Sequence, residues 1–283
     1  LFDLTRIFGY PYLKDNGASL GVPIVKELST IDSKPARNTV AECYTEIISD
    51  LKNSTELLSG DFNKGKVNRW AAMTLLSRVY LYKGEYNEAL TMAENAIKGA
   101  EKEGYALWTN EEYPTAWGND ASASNPGEIL FEIVNLTTDS PGKESMGYLN
   151  SYNGYDDMCI TCSFYQLLKK DPKDVRLKIL SFDKKYYAYV NKYQPQQGEN
   201  ITDANIPLIR LSEAYLNAAE AAVQTGDNAK AVKYLNSIVQ RANPENSVEG
   251  KTLTLENVLD ERRKELVAEG HRMYDVIRNG MTV

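Results

Sequence analysis

Apolar residues recur every three or four positions through most of the chain and alternate every second position only in brief runs, which predicts a mainly helical protein. Val40, Tyr44, Ile47, Ile48, Leu51 and Leu58 form the stripe of a helix over 38–58. Asn38 or Thr39 can cap it, and Glu42, three residues beyond Thr39, completes a capping box. Helices are predicted over 67–83 and 86–99, divided by Gly84, with Ala89, Leu90, Ala93, Ala96 and Ile97 on one face of the second. Another pair covers 208–242. Tyr215, Ala218, Ala219 and Ala222 line its first helix, Gly226 makes the turn, Asp227 caps the second, and Ala231, Leu235 and Ile238 line that one. The stretch 255–279 closes the pattern, with a break at Gly270. Leu1, Leu4, Ile7 and Phe8 also fall at helical spacing, without a starting Met or a basic leader. The expectation is a trimmed chain that begins inside a helix.

The middle, 105–207, breaks this periodicity and is rich in Gly, Pro, Asn, Ser and Tyr. A strand is predicted over 128–136, a second over 185–193, a short helix from Phe164, and a long loop over 137–155. A loop of that length is more often functional than idle. The helices before it have the pattern of a tetratricopeptide hairpin: Tyr80, Gly84, Tyr86, Ala89 and Ala96 fall on that repeat's signature spacing. The pair at 208–242 is a second copy, so the repeats are interrupted rather than stacked in sequence. The expected fold is therefore mainly α, with tetratricopeptide-like hairpins interrupted by a loop-rich insertion with a few short strands. It forms a single domain over 1–283, divided into 1–104 with a hairpin at 67–99, the insertion 105–207, and 208–283.

The net charge of −7 argues against a nucleic-acid binder. No apolar run is long enough to span a bilayer. Tyrosine is over-represented, at 19 against 6 Phe, and its flat face and polar tip suit half-wet surfaces. Cys159 and Cys162 make one C-x-x-C, but a structural zinc needs two more ligands and His271 is the sole histidine. They read as ordinary small residues or a local disulfide. Asp156 and Asp157 are too few for a calcium loop. Glu261, Glu265 and Glu269, spaced by four among Arg262, Arg263 and Arg272, look superficially like a glycosidase carboxylate pair. Ion pairs at i,i+3 and i,i+4 explain them better. Without a nucleophile elbow, no enzyme, cofactor or metal is expected.

Two stretches are familiar. Pro-Leu-Ile-Arg-Leu-Ser-Glu-Ala-Tyr-Leu-Asn-Ala-Ala-Glu-Ala from Pro207 and Glu-Arg-Arg-Lys-Glu-Leu-Val-Ala-Glu-Gly-His-Arg-Met-Tyr-Asp-Val-Ile-Arg from Glu261 resemble the C-terminal segment of the SusD/RagB family. Leu-Gly-Val-Pro-Ile-Val from Leu20, Pro-Ala-Arg-Asn-Thr-Val from Pro35, Lys-Val-Asn-Arg-Trp-Ala-Ala from Lys66 and Asn-Pro-Gly-Glu-Ile-Leu-Phe-Glu-Ile from Asn125 are similar to it as well. The resemblance implies a cell-surface lipoprotein of the outer membrane in a Bacteroidota bacterium, with its lipid anchor outside this chain. It implies an oligosaccharide ligand, or in some members a peptide, and a SusC-like TonB-dependent transporter as partner. The alternatives are a peptide-capturing RagB-like protein or a tetratricopeptide scaffold for other proteins.

Sugar binding needs flat aromatic faces for the C–H side of the ring and polar side chains for its hydroxyls. Two places qualify. Tyr148, Asn150, Tyr152, Asn153, Tyr155 and Asp156 lie together on a loop with Gly154, whose alternative reading is a packed loop with half-buried tyrosines. Trp108, Tyr113 and Trp117 follow the first hairpin, and their alternative is a core plug.

Overall fold

The computed structural model describes residues 1–281 except 29, 64, 119–126, 152, 156, 183–186 and 196–199. In chain order the helices of the first part are α1 (Phe2–Phe8), α2 (Tyr12–Asp15), α3 (Val40–Leu57), α4 (Arg69–Lys83) and α5 (Tyr86–Lys102). The insertion holds β1 (Ile129–Ile133), α6 (Met146–Leu149), α7 (Cys162–Lys169), β2 (Leu180–Phe182), β3 (Ala188–Val190) and β4 (Ile206–Arg210). The last part holds α8 (Leu211–Gln224), α9 (Asn228–Ala242), α10 (Leu255–Glu265) and α11 (Arg272–Arg278).

Local chemistry sets the helix ends as expected. The Thr39 hydroxyl accepts from the Glu42 amide, and the Glu42 carboxylate accepts from the Thr39 amide at 2.7 Å. Gly84 closes α4 at φ 80°, a left-handed conformation that costs glycine little. Asp227 accepts from the Lys230 amide at the start of α9.

The helices pack in the series α3, α4, α5, α8, α9, so the two hairpins are neighbours in space despite the insertion between them. Small residues permit the close approach. Ala89, Ala93 and Ala96 of α5 and Ala214, Ala218, Ala221 and Ala222 of α8 are completely buried. Gly99 is tighter still, since a Cβ there would lie 2.1 Å from the Trp70 ring. The interior is not purely apolar. Arg78 of α4 pairs with Glu213 of α8 at 2.5 Å, and Asn217 donates to the Ser77 hydroxyl at 2.8 Å. These bonds satisfy polar groups that would otherwise be costly to bury.

The insertion is tied to this helical stack by its strands. β1 pairs antiparallel with β4, with Ile129 opposite Arg210 and Ile133 opposite Ile206, and β4 runs straight into α8. β2 and β3 form a separate hairpin with Phe182 opposite Ala188. The sequence reading placed a helix start at 208 and a loop over 137–155, and both need correction. Residues 206–210 are extended because they complete the β1 ladder. Residues 137–155 contain a 3₁₀ turn, Gly142–Glu144, and the one-turn α6.

Candidate functional site

Beneath the insertion lies a cluster of buried charges. Glu265 faces three guanidiniums: Arg176 at 3.3 Å, Arg210 at 3.1 Å and Arg241 at 2.6 Å. Arg210 also pairs with Glu128 and with Glu269, the latter at 2.8 Å. Arg176 reaches Asp174 and Glu261, both at 2.6 Å, and Lys192 reaches Glu269 at 2.6 Å. Burial works against the Glu265 carboxylate, but Arg241, Arg210 and Arg176 outweigh it and hold its pKa well below the usual range. Burial pulls Lys192 down to about 8 against the attraction of Glu269. The i,i+4 glutamates are thus ion-paired, but mostly not to arginines of their own helix. Lys264 to Glu261 is an i,i+3 pair, whereas Arg262 turns the other way, toward Glu220 at 3.5 Å and Asp275 at 3.3 Å.

His271 sits in that second group and is buried. Burial lowers its pKa to about 4, against the pull of Glu213. Because the folded pKa lies below the unfolded value of about 6.5, the unfolded state binds the extra proton. The contribution of His271 is therefore present above pH 6.5 and is lost as pH falls toward 4. Between pH 7 and pH 5 the unfolding free energy should drop by about 2 kcal/mol from this group. Urea melts at the two pH values measure the drop, and His271→Gln should flatten it. Equal pH dependence in the two proteins would contradict the assignment. Glu213, despite burial, is held at about 2 by Arg78, so its own contribution is lost only at more acid pH, below about 4.5.

The structure places the second candidate group inside the molecule. Trp108, Tyr113 and Trp117 are all buried and pack edge to face, with Trp108 and Trp117 5.0 Å apart and Tyr113 and Trp117 5.4 Å apart. Cations of the charge cluster lie over two of the rings: Lys192 and Arg210 over Trp117, and Arg241 over Tyr113 at 4.3 Å. The burial of all three rings fits a core plug better than an open sugar platform.

The tyrosine loop lies at the surface. The Ser145 hydroxyl caps α6 by accepting from the Tyr148 amide at 3.1 Å. Asn150 is buried and turns back to donate to the Met146 carbonyl at 2.9 Å and toward the Met158 sulfur at 3.8 Å. It is thus a brace for the loop. The Tyr155 amide donates to the Tyr148 carbonyl at 3.3 Å, folding the loop on itself. Gly154 permits this, because a Cβ there would lie 1.9 Å from the same carbonyl oxygen. The outcome is a pair of rings, Tyr148 and Tyr155, 5.0 Å apart and at 84°. Tyr155 and Asn153 are exposed, and the Lys143 ammonium lies 5.9 Å from the Tyr148 ring. Tyr152 and Asp156 lie outside the described residues.

Sequence reasoning missed another aromatic pair. Tyr165 of α7 and Phe182 of β2 meet at 5.7 Å and 78°, and Phe182 is 45% exposed. The two residues are far apart in sequence, and only the β2–β3 hairpin brings them together. Cys159 and Cys162 lie just before this pair and at the first turn of α7, both free and exposed. Among the described residues, no helix is long and apolar enough to cross a membrane, and no group of three or more metal-ligating side chains occurs.

Comparison with known proteins gives this arrangement a family. Residues 182–282 match the SusD family, and residues 1–81 match a family described as starch-binding, associating with the outer membrane. A SusD superfamily protein from Bacteroides vulgatus superposes with a TM-score of 0.92 at 41% identity, covering 100% of this chain and 65% of that one. The SusD-like protein of Bacteroides ovatus is 24% identical over 90% of this chain and 54% of its own length. The starch-binding protein SusD of Bacteroides thetaiotaomicron is 36% identical over 34% of this chain and 17% of its own. This chain belongs to the SusD/RagB family. It spans about half the length of the curated Bacteroides ovatus relative.

Proposed function

We propose that this protein binds an oligosaccharide or polysaccharide at the outer face of the outer membrane and delivers it to a SusC-like TonB-dependent transporter. The observation that carries the reading is the surface Tyr148–Tyr155 pair on its folded-back loop. One ring can lie under the C–H face of a sugar while the other walls its side, and Asn153 stands nearby for a hydroxyl. Tyr152 and Asp156 belong to the proposed site by their place in the sequence, and Asn150 positions the loop from below. The helical parts 1–104 and 208–283 serve as one domain carrying the insertion 105–207. The starch-binding designation of the family matched by residues 1–81, and that of the Bacteroides thetaiotaomicron relative, support a glycan over a peptide. Membrane attachment would come through a lipid anchor. Binding is the activity we assign, and Glu261, Glu265 and Glu269, whose spacing resembles a glycosidase carboxylate pair, are buried in ion pairs.

Electrophoresis through gels cast with amylopectin, laminarin or xylan tests this. The protein should be retarded by one polysaccharide, and that glycan should be recovered at its original length. Tyr155→Ala should weaken retention about tenfold, as expected for an aromatic anchor. No retardation in any gel, together with saturable binding of a peptide library, would replace glycan capture with peptide capture.

A further inference from the structure

Asparagine is a chemically labile residue, most of all before glycine, which has no side chain to shield its amide nitrogen from the neighbouring carboxamide. The chain has three such pairs, Asn16–Gly17, Asn153–Gly154 and Asn279–Gly280. Two of them are held. Asn16 caps the C-terminus of α2, and Gly17 is buried. The Gly17 amide donates to the Tyr12 carbonyl at 3.2 Å and to Asp15 at 3.0 Å, and its carbonyl accepts from Ala41 at 2.9 Å. Asn279 ends α11, where its carboxamide donates to the Asp275 carbonyl at 2.9 Å. The third pair lies in the tyrosine loop. Asn153 is exposed, and among the described residues its carboxamide has no hydrogen-bond partner. One bond restrains the glycine, whose amide donates to the Ser151 carbonyl at 2.9 Å. That bond belongs to a surface turn, and such turns open at little cost. Nor can the glycine be exchanged. A Cβ at 154 would lie 1.9 Å from the Tyr148 carbonyl oxygen. The fold that pairs Tyr148 with Tyr155 therefore requires the very residue that makes Asn153 labile.

We propose that Asn153 is a site of spontaneous modification, and that its conversion to isoaspartate disables the tyrosine loop. The Gly154 amide nitrogen gives its proton to water and attacks Cγ of Asn153. A new C–N bond forms, the carboxamide C–N bond breaks, and its nitrogen leaves as ammonia. Water then opens the cyclic imide. Cleavage at Cγ gives aspartate on an ordinary backbone. Cleavage at the backbone carbonyl gives isoaspartate, in which the chain runs through the former side chain. The sum is one water in and one ammonia out, with no oxidant, metal or enzyme. Isoaspartate lengthens the backbone by one methylene just before Gly154, and either product adds a carboxylate close to the exposed Asp157. Gly154 then loses its register against Tyr148, and the two rings part. The loss of function rests on the glycan reading above, whereas the chemistry does not.

The test holds the purified protein in warm, mildly alkaline buffer and a second portion in cold, mildly acid buffer. Anion exchange separates the more acidic form, and peptide mapping by mass spectrometry locates the gain in mass that comes with exchanging the amide for a carboxyl. The gain should fall mainly on Asn153 in the warm portion, and isoaspartyl methyltransferase should label that peptide. In Asn153→Gln this acidic form should be missing. The retarding polysaccharide should hold the modified form at least tenfold less than the unmodified form from the same tube, at an unchanged melting temperature. No gain at Asn153, or an equal gain at Asn16 and Asn279, overturns the site. A modified form retained as strongly as the unmodified one overturns the loss of function. If fresh protein is retained by none of the three polysaccharides, the glycan reading fails and the disabled binding with it, while the mass map alone decides the site.

Discussion

Glu265→Gln should destabilise the protein by about 3–5 kcal/mol, the usual cost of breaking a buried ion pair from one side. The Glu265 side chain is completely buried and sits among Arg176, Arg210 and Arg241. Glutamine has nearly the same shape, so packing is kept and the change is almost purely electrical. It leaves three guanidiniums facing each other in a site where water cannot screen them. Arg176 keeps Asp174 and Glu261 and Arg210 keeps Glu128 and Glu269, so the loss falls hardest on Arg241, whose remaining carboxylate, Glu128, is shared with Arg210. For a chain of this size the melting temperature should fall by roughly 10 °C. Urea unfolding of the variant beside Glu256→Gln measures the effect. Glu256 lies on the same helix but is exposed, and its replacement should change stability by less than about 0.5 kcal/mol. If the two variants melted alike, the cluster would not be contributing as a set of paired charges. Replacing the whole group by well-packed apolar residues is a different experiment, and such swaps are often neutral or stabilising.

Gly154→Ala should leave the fold intact and abolish most glycan retention. The added methyl would lie 1.9 Å from the Tyr148 carbonyl oxygen and 2.8 Å from its carbon. That carbonyl has little freedom. It accepts from Tyr155, and its helix is fixed by the Ser145 cap and by Gly147, where even a Cβ would come within 2.2 Å of the Ile201 carbonyl. The cheaper response is for the loop to open, which separates Tyr148 from Tyr155. Global stability should hardly change, because surface loops sit at the low end of local stability. The expected result is an unchanged melting temperature with retention at least tenfold weaker. Retention equal to wild type would place the ligand away from this loop. Tyr155→Phe, which keeps the ring, should retain most binding.

The helical frame was legible in the sequence because its signals are local. The Thr39–Glu42 box, the turns at Gly84 and Gly226 and the alanine faces of α5 and α8 depend on residues a few positions apart. The strand at 128–136 was legible for the same reason. Its partner β4 was not, since Pro207 interrupts the run and the pairing joins segments about as far apart as the insertion is long. The spacing of Glu261, Glu265 and Glu269 revealed one charged stripe but not the distant arginines that complete it. The aromatic candidates show the same limit. Composition counts rings and cannot tell which faces are covered, so the buried Trp108–Tyr113–Trp117 group and the surface Tyr148–Tyr155 pair looked alike. Phe182 and Tyr165 gave no signal, because a three-residue strand brings them together.

The charge cluster also bears on how such a protein can diversify. Glu128, Arg176 and Lys192 come from the insertion and Arg210 from the end of β4 just beyond it, while Arg241, Glu265 and Glu269 come from the helical part and the turn that follows it. The insertion is therefore fastened from inside, by a few side chains at its root. Among the described residues, 137–158 carry none of those fasteners, so a change in the exposed part of this stretch leaves the root pairs in place. In engineering terms the protein is a socket with an exchangeable head. Loops with other ligand preferences could be grafted between those positions without redesigning the frame.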